Sequence, residues 1–369
     1  MSVIGFAKKN TVMLVAFAAA LITSFIVPVD AEYLEYFDFK TLSCLFCVLA
    51  VVCALKDVNF FYILAEQIVR HFKNLRICVT ALVYITFIGS MLIANDMALL
   101  TFLPLGYIVL SSTGKEKYMA YVFILQNVAA NLGGMLTPFG NPQNLYLYSK
   151  FNISNLEFIK IMAPPFAVAI AVITLCCLLV KPEKMELSGQ TPKIDTKRTA
   201  FYLILFFFSI AMVFRGIPYQ LGTVIIFTAL MLSDRHALKS VDYPLLLTFV
   251  FFFIFAGNMA RIEPVVSLFS ELLKKSTLLF SIVSCQFISN VPSAILLSSF
   301  TDNYSELLVG VNIGGVGTLI ASLASLITFR EYIKHNPGKA GTYILEFSAV
   351  NFGMLILLTA FEFWFINAV

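Results

Sequence analysis

The run "NLGGMLTPFGNPQNL" (Asn131–Leu145) cannot continue as a single helix. Pro138 and Pro142 remove backbone donors, and Gly133, Gly134 and Gly140 weaken the helix around them. Yet the run lies inside a long apolar stretch, 118–148, of the kind that crosses a bilayer. At an offset of 181 residues the pattern returns as "NIGGVGTLIASLAS" (Asn312–Ser325). Asn131, Gly133, Gly134, Thr137 and Leu145 meet identical residues at Asn312, Gly314, Gly315, Thr318 and Leu326. Gly140, Asn141 and Asn144 meet the small or polar Ala321, Ser322 and Ser325. Unwound backbone at membrane depth exposes carbonyls that suit a bare cation. The half-helix that follows offers free N–H groups and a positive dipole end that suit an anion. Asn131, Gly134, Asn141 and Asn144, with Asn312, Gly315, Ser322 and Ser325, are therefore the candidates for a coupling-ion site. Thr137 and Thr318 open the following segments and are candidates for the substrate. Close helix packing through small residues is the competing explanation for one such run, and a second aligned run weakens it.

Each run is preceded by an interrupted apolar segment. Leu75–Thr113 is too long for one span and is broken at Ala94-Asn95-Asp96. Thr277–Phe300 is broken at Ser289-Asn290-Val291-Pro292. Both read as re-entrant hairpins, with Asn95, Ser289 and Asn290 as substrate ligands at the tips. Asp96 is the acidic residue at a tip, and an ionisable group at membrane depth marks function by default. It is the candidate to ligate sodium or carry a proton; a cap on free backbone amides is the plainer alternative. Before each hairpin comes an amphipathic stretch. Phe61, Leu64, Ala65, Ile68 and Val69 oppose Glu66, Arg70 and Lys73; Val265, Phe269, Leu272 and Leu273 oppose Glu271, Lys274 and Lys275.

Further apolar segments lie near 11–28, 41–55, 160–180, 199–215, 219–234, 243–262, 306–329 and 342–366. Apolar residues make up 60% of the chain and charged residues 12%, about half the charge a soluble domain carries. The mean hydropathy is +0.89. Long uninterrupted runs exclude a membrane β-barrel, which would alternate in short segments. Counting the hairpins as returns leaves nine spans. With the N-terminus inside, 18 of the 25 Lys and Arg fall on the cytoplasmic side and 7 outside. That bias predicts a cytoplasmic N-terminus and an external C-terminus. The run Thr11–Pro28 reads as an uncleaved first span, in spite of Lys8 and Lys9 before it. Its counterpart is 219–234, in opposite orientation. Two inverted repeats with interrupted helices are the pattern of a secondary transporter.

Five segments follow: scaffold 1–74 with an amphipathic helix; transport 75–150; scaffold 151–276 with a cytoplasmic loop at 181–198; transport 277–341; and a last transmembrane helix, 342–369. Cys44 and Cys47 have CxxC spacing without a second pair or a nearby His, so the seven cysteines read as buried small hydrophobes. His71, His236 and His335 form no cluster, and Glu346 and Glu362 of the last span have no local partner. The net charge of +4 follows from the cytoplasmic loops and calls for no nucleic-acid partner.

The motifs "IANDMALL" (Ile93–Leu100), "NLGGMLTPFGNPQNL", "FISNVPSAILL" (Phe287–Leu297) and "GVNIGGVGTLIASLASL" (Gly310–Leu326) resemble the ion transporter superfamily. The resemblance runs over about residues 11–366 and is greatest to its arsenite-permease and citrate-transporter-like branch, an anion permease class. It implies an elevator mechanism, in which a transport domain carrying hairpins and broken helices slides against a dimeric scaffold. Dicarboxylate symporters of the superfamily carry Ser-Asn-Thr at both tips. Here Ala94-Asn95-Asp96 and Ser289-Asn290-Val291 lack both threonines and one serine. The chain also has one span fewer before the first hairpin than before the second.

The expectation is an all-α inner-membrane homodimer that moves a small carboxylate or inorganic oxyanion, coupled to Na+ or H+, with no other cofactor or metal. A sodium/proton antiporter, or an arsenite or metalloid permease, would use the same scaffold. No HExxH, GxSxG or paired-aspartate metal motif supports an intramembrane enzyme.

Overall fold

The computed structural model describes residues 10–185 and 195–368. Lys8, Lys9 and Lys193, counted above as cytoplasmic charges, lie outside them. The described residues are helical throughout, apart from one bridge between Asn74 and Lys184. The first half comprises α1 Thr11–Ile26, α2 Phe39–Asp57, α3 Phe60–Val69, α4 Leu75–Ile93, α5 Asn95–Ser112, α6 Met119–Gly133, α7 Pro142–Lys150 and α8 Asn155–Leu178. After α9 Thr196–Val213 the second half adds α10 Tyr219–Ser233, α11 Arg235–Lys239, α12 Tyr243–Met259, α13 Glu263–Lys275, α14 Thr277–Ile288, α15 Asn290–Leu297, α16 Tyr304–Ile313, α17 Leu323–His335 and α18 Ala340–Ala368.

Local chemistry sets these boundaries. Asp38, Ser154, Asp195, Asp242, Ser276 and Asn303 each cap a helix by accepting a backbone N–H of its first turn. Pro28 follows α1 and Pro218 precedes α10. Both helices are therefore short, at 16 and 15 residues or about 24 Å. Among the described residues seven helices are long and apolar enough to cross a membrane, and α12 with α13, bent by 99°, makes up to eight. The count differs from nine because α1, α10 and α12 are short and the segment 306–329 breaks into α16 and α17, while α4 and α5 each reach full length. The two hairpins are thus unequal: the first has arms of 19 and 18 residues, the second of 12 and 8.

Packing runs in matched pairs across the halves. The helix α1 lies on α12, and α10 on α2; likewise α17 lies on α5, and α7 on α15. The long helix α8, expected with the scaffold, packs on α4, α6 and α18. Of the amphipathic stretches, α13 keeps Leu273 buried and Glu271, Lys274 and Lys275 exposed, as its pattern requires. The other, α3, differs. Leu64 and Ile68 are exposed apolar residues, while Glu66 and Arg70 form a half-buried pair at 2.7 Å.

Candidate functional site

Both hairpins turn at a residue that is not glycine. Ala94 has φ 65°, ψ 152° and Ser289 has φ 75°, ψ 160°. Such a conformation costs an L-residue about 1–3 kcal/mol and persists only where surroundings enforce it. The surroundings match at the two tips. Asn95 N–H donates to Gly140 O (3.2 Å) and Asn290 N–H to Ala321 O (2.9 Å), and the two acceptors are the aligned positions of the repeat, 181 residues apart. The side-chain oxygens of Asn95 and Asn290 each accept the next residue's N–H at 2.9 Å.

Thr137 and Thr318 play a related part. Thr137 Oγ1 donates to Met91 O (2.8 Å) and Thr318 Oγ1 to Gln286 O (3.1 Å), each acceptor three residues before its strained tip. Their hydroxyls hold the hairpins to the broken helices. Gln286 reinforces the second break, donating from Nε2 to Gly314 O (2.9 Å) and Val316 O (3.2 Å) and accepting Thr318 N–H at Oε1 (2.9 Å).

The asparagines lock the halves together. Asn131 Oδ1 accepts from Asn95 Nδ2 (3.2 Å) in its own half and from Ser322 Oγ (2.7 Å) in the other. Asn141 Nδ2 donates to Asn131 O and to Asn312 Oδ1, both at 3.1 Å. Asn312 Nδ2 donates to Asn144 Oδ1 (2.6 Å), and Asn144 Nδ2 reaches the unwound carbonyls of Gly134 and Met135, each at 3.2 Å. Gly134 is required by closeness, since a Cβ there would stand 2.4 Å from Asn141 Oδ1. At Gly315 a Cβ would meet Asn290 Nδ2 at 3.1 Å. Within this polar centre the side-chain oxygens Asn141 Oδ1, Gln143 Oε1, Ser325 Oγ and Asp96 Oδ1 are buried and accept no hydrogen bond from the protein. Neutral amide and hydroxyl oxygens with one carboxylate are the donor set a small hard cation takes, so these residues fit Na+. Among the described residues no group of three or more His, Cys, Asp or Glu could hold a transition metal.

A cavity of about 110 Å³ opens on this centre, wide enough for several waters. Asn95 and Asp96 of one tip and Ser289, Asn290 and Val291 of the other line it, with Pro142 and Gln143 opening α7 and Ser322 and Leu323 at the start of α17. Asn131, Asn141, Asn144, Asn312 and Ser325 sit behind this surface, buried. Thr137 and Thr318 are not among the lining residues. Sequence reading missed Gln143, Asp242 and Arg330, which also line the cavity. Gln143 lay within the quoted motif, one place after Pro142; Asp242 and Arg330 carried no local signal.

Residues 4–305 match the citrate transporter family. The chain belongs to the citrate transporter family. An uncharacterized transporter of Methanocaldococcus jannaschii is 32% identical over 342 residues, 90% of this chain and 92% of the relative. Inner membrane protein YbiR of Escherichia coli is 30% identical over 300 residues, 79% of this chain and 80% of the relative. With its apolar helices, this citrate-transporter-family protein is an integral membrane protein and a membrane transporter.

Proposed function

We propose that the protein is a secondary active transporter that moves a small anion coupled to Na+ or H+. The observation that carries this reading is the shared cavity. Two strained asparagine tips and the N-termini of α7 and α17, one from each half, converge there on one polar centre. The positive dipole ends of these four helices favour an anion's acid group. The unpaired oxygens behind them favour a cation, so anion and cation would neutralise each other in one low-dielectric site.

The matched packing of α1 on α12 and α10 on α2 supports an inverted two-fold relation between the halves. It divides the molecule into a scaffold of α1, α2, α9, α10 and α12 and a transport unit of α4–α8 and α14–α18. In that division α8 and α18 travel with the hairpins. An elevator motion of this unit against a homodimeric scaffold would carry the cavity across the bilayer. With the N-terminus cytoplasmic, Asn10, Asp242 and Arg330 face the cytoplasm, and the cavity opens inward.

A sodium/proton antiporter on the same frame is favoured by one observation, the buried Asp96 Oδ1 without a donor. None of the seven cysteines lines the cavity, which speaks against thiolate capture of a metalloid.

The test is thermal stability of purified protein with citrate, succinate, phosphate, sulfate or arsenite, with and without Na+, at pH 5.5 and 7.5. A ligand at a hundredfold excess over its Kd stabilises by about 2.7 kcal/mol. An anion whose effect needs Na+ or low pH and vanishes in Asn290→Ala supports the proposal. Sodium acting alone, in a pH-dependent way lost in Asp96→Asn, replaces it with the antiporter.

A further inference from the structure

The cavity's lining carries two carboxylates and one guanidinium, those of Asp96, Asp242 and Arg330. The carboxylates repel an anionic cargo. Four helix ends at the floor supply partial positive charge, and Arg330 supplies the one full positive charge among the lining residues. Its position follows from helix geometry. Ser322, Leu323, Leu326 and Arg330 all line the cavity, so one face of α17 runs from the floor to the mouth. Arg330 stands eight residues beyond the cap Ser322, about 12 Å along the axis. Arg330 is exposed and also holds an interaction of its own. Side chains on a helix lean toward its N-terminus, so the guanidinium stem leans back toward the floor.

The two mouth charges come from different groups of helices. Arg330 shares α17 with the floor, whereas Asp242 caps α12. If the transport unit moves, Arg330 remains with the cargo and Asp242 does not.

We propose that Arg330 is the specificity-determining residue for the cargo's second acid group. One carboxylate sits at the asparagine tips and helix N-termini, and the other on the guanidinium. This inference rests on the anion-transport reading. A planar guanidinium can take a carboxylate through two hydrogen bonds, which an ammonium cannot reproduce.

The experiment compares wild type, Arg330→Gln, Arg330→Met and Arg330→Lys in proteoliposomes. Uptake is measured for succinate and citrate as probes with more than one acid group and for acetate as the single-acid probe, each with Na+ and with a proton gradient. Expected for both neutral variants is a rise of about tenfold or more in KM for succinate or citrate, kcat within twofold, and less than a twofold change for acetate. Arg330→Lys should fall between. Melting without ligand should match wild type, separating recognition from folding; if one neutral variant fails to fold, the other supplies the comparison. Equal losses for single-acid and two-acid probes, or no loss, overturn the assignment and leave anion transport standing. If wild type moves none of the probes under either gradient, the underlying reading falls and this one with it.

Discussion

Truncation of Asn131 tests whether the two halves are joined through one buried amide. In Asn131→Ala, Ser322 Oγ and Asn95 Nδ2 both lose their acceptor at a residue that is 2% exposed. A buried polar group left unpaired costs about 1–3 kcal/mol, so the two together cost about 2–6 kcal/mol. Against a total stability of about 5–15 kcal/mol that is a large fraction. A domain of 150–250 residues shifts by about 2–4 °C per kcal/mol, so melting should fall by about 5 °C or more. The assay is thermal unfolding in detergent, with Ser322→Ala and the double variant alongside. Removing Ser322 Oγ first deletes one of the two stranded groups. The double variant should therefore lose less than the sum of the singles, by about 1 kcal/mol. Melting of Asn131→Ala within 1 °C of wild type, or strict additivity with Ser322→Ala, would refute the idea that this amide bridges the halves.

Gly134→Ala should cost about 1–3 kcal/mol by overpacking against Asn141 Oδ1 and Gly140 O, and should weaken stabilisation by Na+ more than it lowers the ligand-free melting point. Asp96→Asn should abolish the dependence of transport on the coupling cation while leaving the protein folded, as read by uptake with and without the gradient. On the scaffold, the His236–Asp57 contact at 2.8 Å raises the His236 pKa, through the hydrogen bond and then the carboxylate charge. Its stabilisation is complete below the ordinary histidine value and is lost as pH rises through the raised one, so the melting penalty of Asp57→Asn should be larger at pH 6 than at pH 8.5. Glu183 is held down to about 2 by hydrogen bonds from Lys115, Lys117 and Tyr118. Its contribution is present above the ordinary carboxylate value and disappears only as pH falls through about 2, so the penalty of Glu183→Gln should be flat from pH 6 to 8 and shrink with added salt.

The breaks in the helices were legible because glycine, proline and asparagine mark them locally. "NLGGMLTPFGNPQNL" and "IANDMALL" predict both the interruption and the polar centre from backbone chemistry alone. The roles of Thr137 and Thr318 were not legible in this way. A hydroxyl beside a break suits a ligand or a structural bond equally well, and the bonds to Met91 O and Gln286 O carried no local signal. Arg330 reads in sequence as another cytoplasmic charge, since nothing near it reveals that the face of α17 bearing Ser322 and Leu326 lines a cavity. Asp242 caps α12, and nothing beside it in the sequence marks a cavity. The count of full-length apolar helices differs from nine for a similar reason: hydropathy finds apolar runs, whereas helix length depends on where Pro28, Pro218, the caps and the break between α16 and α17 fall.

The asparagine lock also has a consequence for the order of synthesis. Asn141 and Asn312, bonded side chain to side chain, are separated by 171 residues of chain. A ribosome delivers Asn131, Asn141 and Asn144 to the membrane long before their partners exist. During that interval the amides must be satisfied by water or by one another, at a depth where each unpaired group is costly. The first half is then a poor end product, and a chain released before Asn312 should be a preferred target of membrane quality control. Supplying the second half as a separate polypeptide should rescue it, because the missing bonds need no covalent link between the halves.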